Sequence, residues 1–134
     1  MKKIIKELIV TALIFTVAII VFHVVVSREN HRGSLESDLS QCIIEKRDLR
    51  DRVYGLIREY SGIPRESFNR RYPSIMKSSS SVTDREILDW ITQENPFFDQ
   101  GAWPGLKKSL DLERDSLRKL NQEQARLELE LRSL

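Results

Sequence analysis

The sequence predicts an all-α protein: one N-terminal transmembrane helix, then a small antiparallel bundle or hairpin of two long helices with a short connecting helix. Three observations carry this expectation. Leu8 to Val26 is an unbroken apolar run without a charged side chain. Two later stretches repeat apolar residues every seven positions. Outside the apolar run, no segment alternates in the manner of a β-strand.

The apolar run comes first. At 1.5 Å per residue, its length from Leu8 to Val26 makes a helix of about 28 Å, close to the thickness of a bilayer's hydrocarbon core. Only Thr11, Thr16 and His23 are polar within it. Threonine hydroxyls can bond back to the preceding turn, so they cost little in lipid. In water such a helix would be apolar on every face, and the charged remainder is too small to wrap it. A cleaved secretory signal is the rival. Its apolar region is typically about 7–15 residues and ends in small side chains, whereas this run is longer and ends in Val24, Val25 and Val26. The expectation is an uncleaved signal-anchor over residues 1–26.

Lys2, Lys3 and Lys6 precede the span against Glu7, while Arg28, His31 and Arg32 follow it against Glu29. The positive-inside rule leans toward a cytoplasmic N-terminus and an exported C-terminal body. The single Cys42 cannot form an internal disulfide, so it does not decide the compartment.

Removing the anchor leaves enough chain for one small domain. The net charge of +2 is the remainder of many interleaved charges of both signs, which points away from a nucleic-acid partner. Arg65, Arg70, Arg71 and Lys77, opposed only by Glu66, are the exception. A solvated loop is the plain explanation for them. Contact with anionic lipid headgroups or a cell-wall polymer is the sharper one, at about 1 kcal/mol per basic residue near such a surface.

Residues 27–34 (SRENHRGS) read as a polar linker, with Ser34 placed to cap a following helix. The domain proper is expected over 35–134. Leu35, Cys42, Leu49 and Leu56 fall seven apart, and Leu39, Lys46, Val53 and Tyr60 fill the second seam position with one polar interruption. Ile43, Ile44 and Ile57 widen the apolar face. Gly62 and Pro64 stop this helix.

The stretch from Gly62 to Val82 carries Pro64, Pro73 and the run Ser78 to Ser81. It is expected as a connector with one turn of helix around Arg65 to Arg71. Thr83 and Glu86 have capping-box spacing for a short helix bearing Ile87, Leu88, Trp90 and Ile91, ended by Asn95-Pro96. Phe97, Phe98 and Trp103 then crowd one loop. They are expected as a plug over the end of the helical core, since exposing all three would create an unusually large apolar patch. The competing expectation is a partner site, because aromatics are enriched at interface hot spots.

Pro104 opens the last helix at its first position. There Leu106, Leu120, Leu127 and Leu134 share one heptad position with Glu113, and Leu110, Leu117 and Leu131 share the other with Gln124. The candidate packing or partner seam is therefore Leu35, Leu39, Leu49, Val53, Leu56, Trp103, Leu110, Leu117 and Leu120. The same heptads are legal between chains, so a homo-oligomer or a protein partner stays open.

Nothing in the sequence points to catalysis. The two histidines are His23 and His31, and no His/Cys pair has zinc-ligand spacing. The five glycines form no phosphate-binding loop. Asp48/Asp51 and Asp111/Asp115 have arginines nearby and read as solvated helix-surface ion pairs. No enzyme activity, cofactor, metal or small-molecule substrate is expected.

Asp48-Leu49, followed by Val53, Ile57 and Tyr60, is similar to a pattern in LemA-family proteins. Glu94-Asn95-Pro96, Phe98-Asp99, Leu106, Leu110, Arg114, Gln122 and Leu127 resemble the segment entering the last long helix of some LemA-like proteins. The resemblance implies a membrane-anchored antiparallel bundle acting as a binding or scaffold module, with no cofactor to carry over. Asp51 stands where that family usually has a Pro. The Tyr-Asn and Phe-Pro of its last helix are absent here. The alternative function is a coiled-coil structural subunit of a membrane complex, in the manner of small bitopic division proteins or spanins.

Overall fold

The computed structural model describes residues 1–77 and 80–134. Its order is α1 (Lys2–Ser61), α2 (Arg65–Ile75), α3 (Ser81–Glu94), a 3-10 turn (Gln100–Ala102) and α4 (Trp103–Arg132), with no strand among the described residues. The chain divides into two compact units, one of Met1–Leu39 with Leu127–Leu134 and one of Ser40–Arg126.

In the first unit, α1 contains a window of mean hydropathy 2.9 with none of its residues buried, long and apolar enough to cross a membrane. Thr11 and Thr16 each donate their hydroxyl to the carbonyl four residues back, at 2.8 Å. That satisfies the only hydroxyls in the run. Residues 27–34 are not the linker expected from their polarity. They are helical, and Ser34 is interior to α1 rather than a cap. Polar composition does not break a helix when most residues are adequate helix formers and one glycine costs only about 1 kcal/mol. The Arg32–Glu36 pair at 3.2 Å adds i,i+4 support. Leu35 and Leu127 are buried in this unit.

The second unit holds one core cluster. It contains Leu49, Val53 and Ile57 of α1, and Ile63 of the bend, with Phe68 and Ile75 of α2. Ile87, Trp90 and Ile91 of α3 join it, with Phe98 of the loop and Leu106 and Leu110 of α4. Of the expected seam residues, Leu49, Val53 and Leu110 are buried. Leu39, Leu56, Leu117, Leu120 and Trp103 are half-buried. Ile57 joins the core, but Ile43 and Ile44 are exposed instead of widening the buried face. They lie on flanks that no other helix covers. Between α1 and α4, the Cys42 thiol donates to the Leu120 carbonyl at 3.3 Å, Lys46 reaches Gln124, and Arg52 reaches Glu113.

The turn after α1 is made by Gly62. At φ +62° it takes a left-handed conformation that only glycine adopts cheaply, and its N–H closes on the Arg58 carbonyl at 3.0 Å. The connector expected next is a helix for eleven residues, with Pro73 inside it. Proline removes one N–H and kinks an interior turn, but burial of Phe68 and Ile75 holds this short helix in place. Ser78 and Ser79 of the serine run lie outside the described residues.

The start of α3 also differs from the Thr83–Glu86 capping box. Ser80 is the N-cap, its Oγ accepting from the Thr83 N–H at 3.2 Å. Thr83 takes the third helical position, with its hydroxyl 2.8 Å from that of Ser80. A serine one turn upstream competed successfully for the same free amides. Asn95 ends α3 as expected, and Pro104 stands one residue inside α4 rather than at its first position.

Candidate functional site

Two features of the Ser40–Arg126 unit could act on something outside it. One is a buried arginine beside an open groove. The other is a bare aromatic ring on a loop.

Arg114 lies on the face of α4 turned toward the end of α2 and the start of α3, and its side chain is 6 % exposed. Its Nε donates to the Ile75 carbonyl at 2.8 Å, capping the last turn of α2. Its Nη1 bonds Asp111 at 2.8 Å and Asp84 at 3.3 Å. Asp84 sits in the first turn of α3, where the helix dipole favours a carboxylate, and Lys107 reaches its other oxygen at 3.2 Å. One guanidinium therefore ties the C-terminus of α2 and the N-terminus of α3 to α4. Nη2 is buried without a hydrogen-bond partner among the described residues. The Asp111/Asp115 pair read from sequence as solvated splits in two: Asp111 pairs with the buried Arg114, while Asp115 bonds Arg118 and Lys119 at the surface. Those cations hold the Asp115 carboxyl below its usual range through hydrogen bonds, Arg118 first.

Beyond this node, α4 carries an open groove of about 660 Å³. Met76, Leu117 and Ala125 supply apolar surface, and Asp111, Arg114, Asp115, Arg118, Asn121 and Gln122 supply polar surface in which the two carboxylates match the two guanidiniums. The groove's residues fall at intervals of three and four along α4, so they share one helical face.

The aromatic loop does not behave as one plug. Phe98 is buried and meets Tyr60 edge-to-face, centroids 5.7 Å apart. Trp103 is half-buried against the core. Phe97 is 95 % exposed, contrary to the expectation that all three rings are covered. Pro96 and Phe97 are the central residues of a turn closed by the Phe98 N–H on the Asn95 carbonyl at 3.0 Å, with Phe97 on its exposed side. The turn itself is braced. Asn95 donates from Nδ2 to the Tyr60 carbonyl at 2.6 Å and accepts the Phe97 N–H at 3.1 Å.

Among the four basic residues singled out by sequence, Arg65 bonds Asp51 at 2.9 Å and stacks over Tyr54 at 4.7 Å. Arg71 stacks over Trp90 at 5.3 Å. Arg70 and Lys77 are exposed. Half of the set is thus engaged in cation–π contacts within the chain. Arg50, which sequence reading passed over, likewise stacks on Tyr72 at 4.9 Å. Burial, then the charge of Glu113, pushes the Tyr72 hydroxyl up, with Arg50 opposing.

Sequence reading missed the Arg114–Asp84 node. Its only signal was an arginine four residues after Leu110 and three before Leu117, hence beside the buried stripe. No group of three His, Cys, Asp or Glu among the described residues could hold a metal ion. Comparison with family models, curated proteins and solved structures finds no match for this chain.

Proposed function

We propose that the protein is a single-pass, membrane-anchored helical module whose C-terminal body is a small antiparallel bundle that binds or scaffolds another protein, without catalysis. The observation that carries the reading is the apolar window of α1, fully uncovered by the rest of the chain. A helix so apolar and so bare has lipid as its natural solvent. Arg52 meets Glu113, earlier in α4 than the partners of Cys42 and Lys46 at Leu120 and Gln124, which supports the antiparallel pairing. The LemA-like resemblance agrees with this class, and the charge balance around the span favours an exported body. Arg70 and Lys77 stay available for anionic lipid or polymer.

The test is fractionation of the full chain. It should stay with the membrane pellet through high salt and alkaline carbonate and be released only by detergent. Release by carbonate alone would end the anchor reading.

The second reading, a coiled-coil structural subunit of a membrane complex, gains from one observation. The helix that contains the span continues through Gly33 to Ser61 with no linker. In that case the isolated full chain in detergent would be elongated and would need a partner to fold its heptads.

A further inference from the structure

We propose that Lys2, Lys3 and Lys6 form a docking face for anionic phospholipid headgroups, so that the anchor gathers such lipids around its N-terminal end and not around its other end. The inference rests on the reading of α1 as a membrane anchor and names the lipid class that the anchor selects. All three side chains are exposed and belong to the opening turns of α1. Lys2 and Lys6 lie four residues apart and Lys3 one step round, so the ammoniums share less than about a third of the helix circumference. Glu7 comes four residues after Lys3, yet no ion pair joins it to a lysine among the described residues. Three cations against one carboxylate leave two positive charges. Local helix chemistry gives no reason for them. The first turn has no acidic residue, although the helix dipole favours one there, and Lys2 and Lys6 repel at i,i+4 spacing.

Depth selects the partner. Lys6 stands two residues before Leu8 and Lys2 six, so their backbones lie about 3 and 9 Å beyond the apolar run. The headgroup layer is roughly 5–7 Å thick on each side of the hydrocarbon core, and flexible lysine stems can place their charge within it. A lipid phosphodiester is therefore the group these ammoniums meet first, and a net negative headgroup answers their surplus charge. The other end of the span differs. Arg28 and Arg32 stand there with Glu29 and Glu36, two charges against two, and Arg32 is tied to Glu36 at 3.2 Å. Balanced charge gives that leaflet no comparable preference.

The experiment uses the full chain in detergent micelles doped with equal amounts of phosphatidylglycerol and phosphatidylcholine. Native mass spectrometry counts the lipids that stay bound. Two uncompensated charges at the headgroups should retain phosphatidylglycerol in roughly tenfold or greater excess. The variant Lys2→Gln/Lys3→Gln/Lys6→Gln should bring the ratio to within about twofold of parity, while Arg28→Gln/Arg32→Gln should leave it unchanged. Millimolar inorganic phosphate at constant ionic strength should not displace the lipid. Equal retention of the two lipids by the parent, an unchanged ratio in the lysine variant, a ratio lost in the arginine variant, or displacement by inorganic phosphate would each overturn the proposal. Carbonate extraction of the parent is read alongside. A parent that stays in the pellet without lipid preference ends this inference alone, whereas its release by carbonate ends the anchor reading and this inference with it.

Discussion

Lys46 Nζ donates to Gln124 Oε1 at 2.9 Å, so the polar residue that interrupts the α1 heptads meets one that interrupts the α4 heptads. Glu113, the other polar member of the α4 seam, takes Arg52 at 3.3 Å. Each polar seam position thus finds its partner on the opposite helix. Such pairs are a way of fixing register, because a slipped helix would face lysine or glutamate with leucine. The expected coupling between Lys46→Ala and Gln124→Ala in a double-mutant cycle is about 1 kcal/mol. Denaturant titrations of the full chain in detergent would measure it. A coupling that grows with protein concentration would mean that the seams pair between chains.

Arg114 predicts a larger effect. Removing it leaves the α2 C-terminal carbonyl of Ile75 uncapped and the buried Asp84 with less compensation. Arg114→Ala should cost about 3–5 kcal/mol, the range for breaking a buried ion pair from one side. Arg118→Ala, which removes only a surface pair, should change stability by less than about 1 kcal/mol. Equal costs for the two variants in urea unfolding would refute the node.

How much of this was legible follows from what each signal reports. The long apolar N-terminal helix, the helical heptad stretches and the stop at Gly62 were readable because apolar patterning and glycine chemistry act locally. Gly33 misled, since a glycine in polar sequence resembles a linker unless its neighbours also need a break. Pro73 misled in the same way: Phe68 and Ile75 hold α2 in place through contacts far away in sequence. The Arg114 node was invisible for a related reason. Its partners Ile75 and Asp84 come from two other helices, and charge spacing along α4 alone could suggest only Asp111.

The loop predicts a sharp contrast between neighbours. Phe98→Ala should destabilise the body by about 3–5 kcal/mol, because a buried ring leaves a cavity beside Tyr60. Phe97→Ala should fall within about 0.5 kcal/mol of the parent, as a fully solvated side chain has nothing to lose on folding. Thermal melts of the two variants would check the order. A costly Phe97→Ala would mean that the ring is covered in solution.

Cys42 gives a pH dependence with a definite sign. Burial pushes its thiol up, the dominant cause, with Lys46 opposing. A folded-state value above the unfolded one means that the native state holds the proton more tightly. The stability this contributes is fully present below the ordinary thiol range and is lost as pH rises through the higher folded value. Tyr72, also pushed up by burial, adds to the loss further into alkali. Unfolding midpoints should therefore fall as pH climbs past the thiol range, and Cys42→Ala should flatten the first part of the decline.

Gly33 supplies the last prediction. A Cβ added there meets nothing within 4 Å, and its φ is not positive, so alanine fits without strain. Helical glycine is less favourable than alanine by about 0.5–1 kcal/mol, through the freedom it loses on folding. Gly33→Ala should therefore slow amide hydrogen exchange across residues 29–37 by roughly twofold to fivefold, the fold-change that energy implies. Gly33→Pro should do the reverse, because proline clashes with the carbonyl four residues back and removes an N–H from the helix. Exchange measured by mass spectrometry on the full chain in detergent separates the outcomes. Equal exchange in parent, alanine and proline variants would show that residues 27–34 are not helical in solution, and that the linker read from their composition was right.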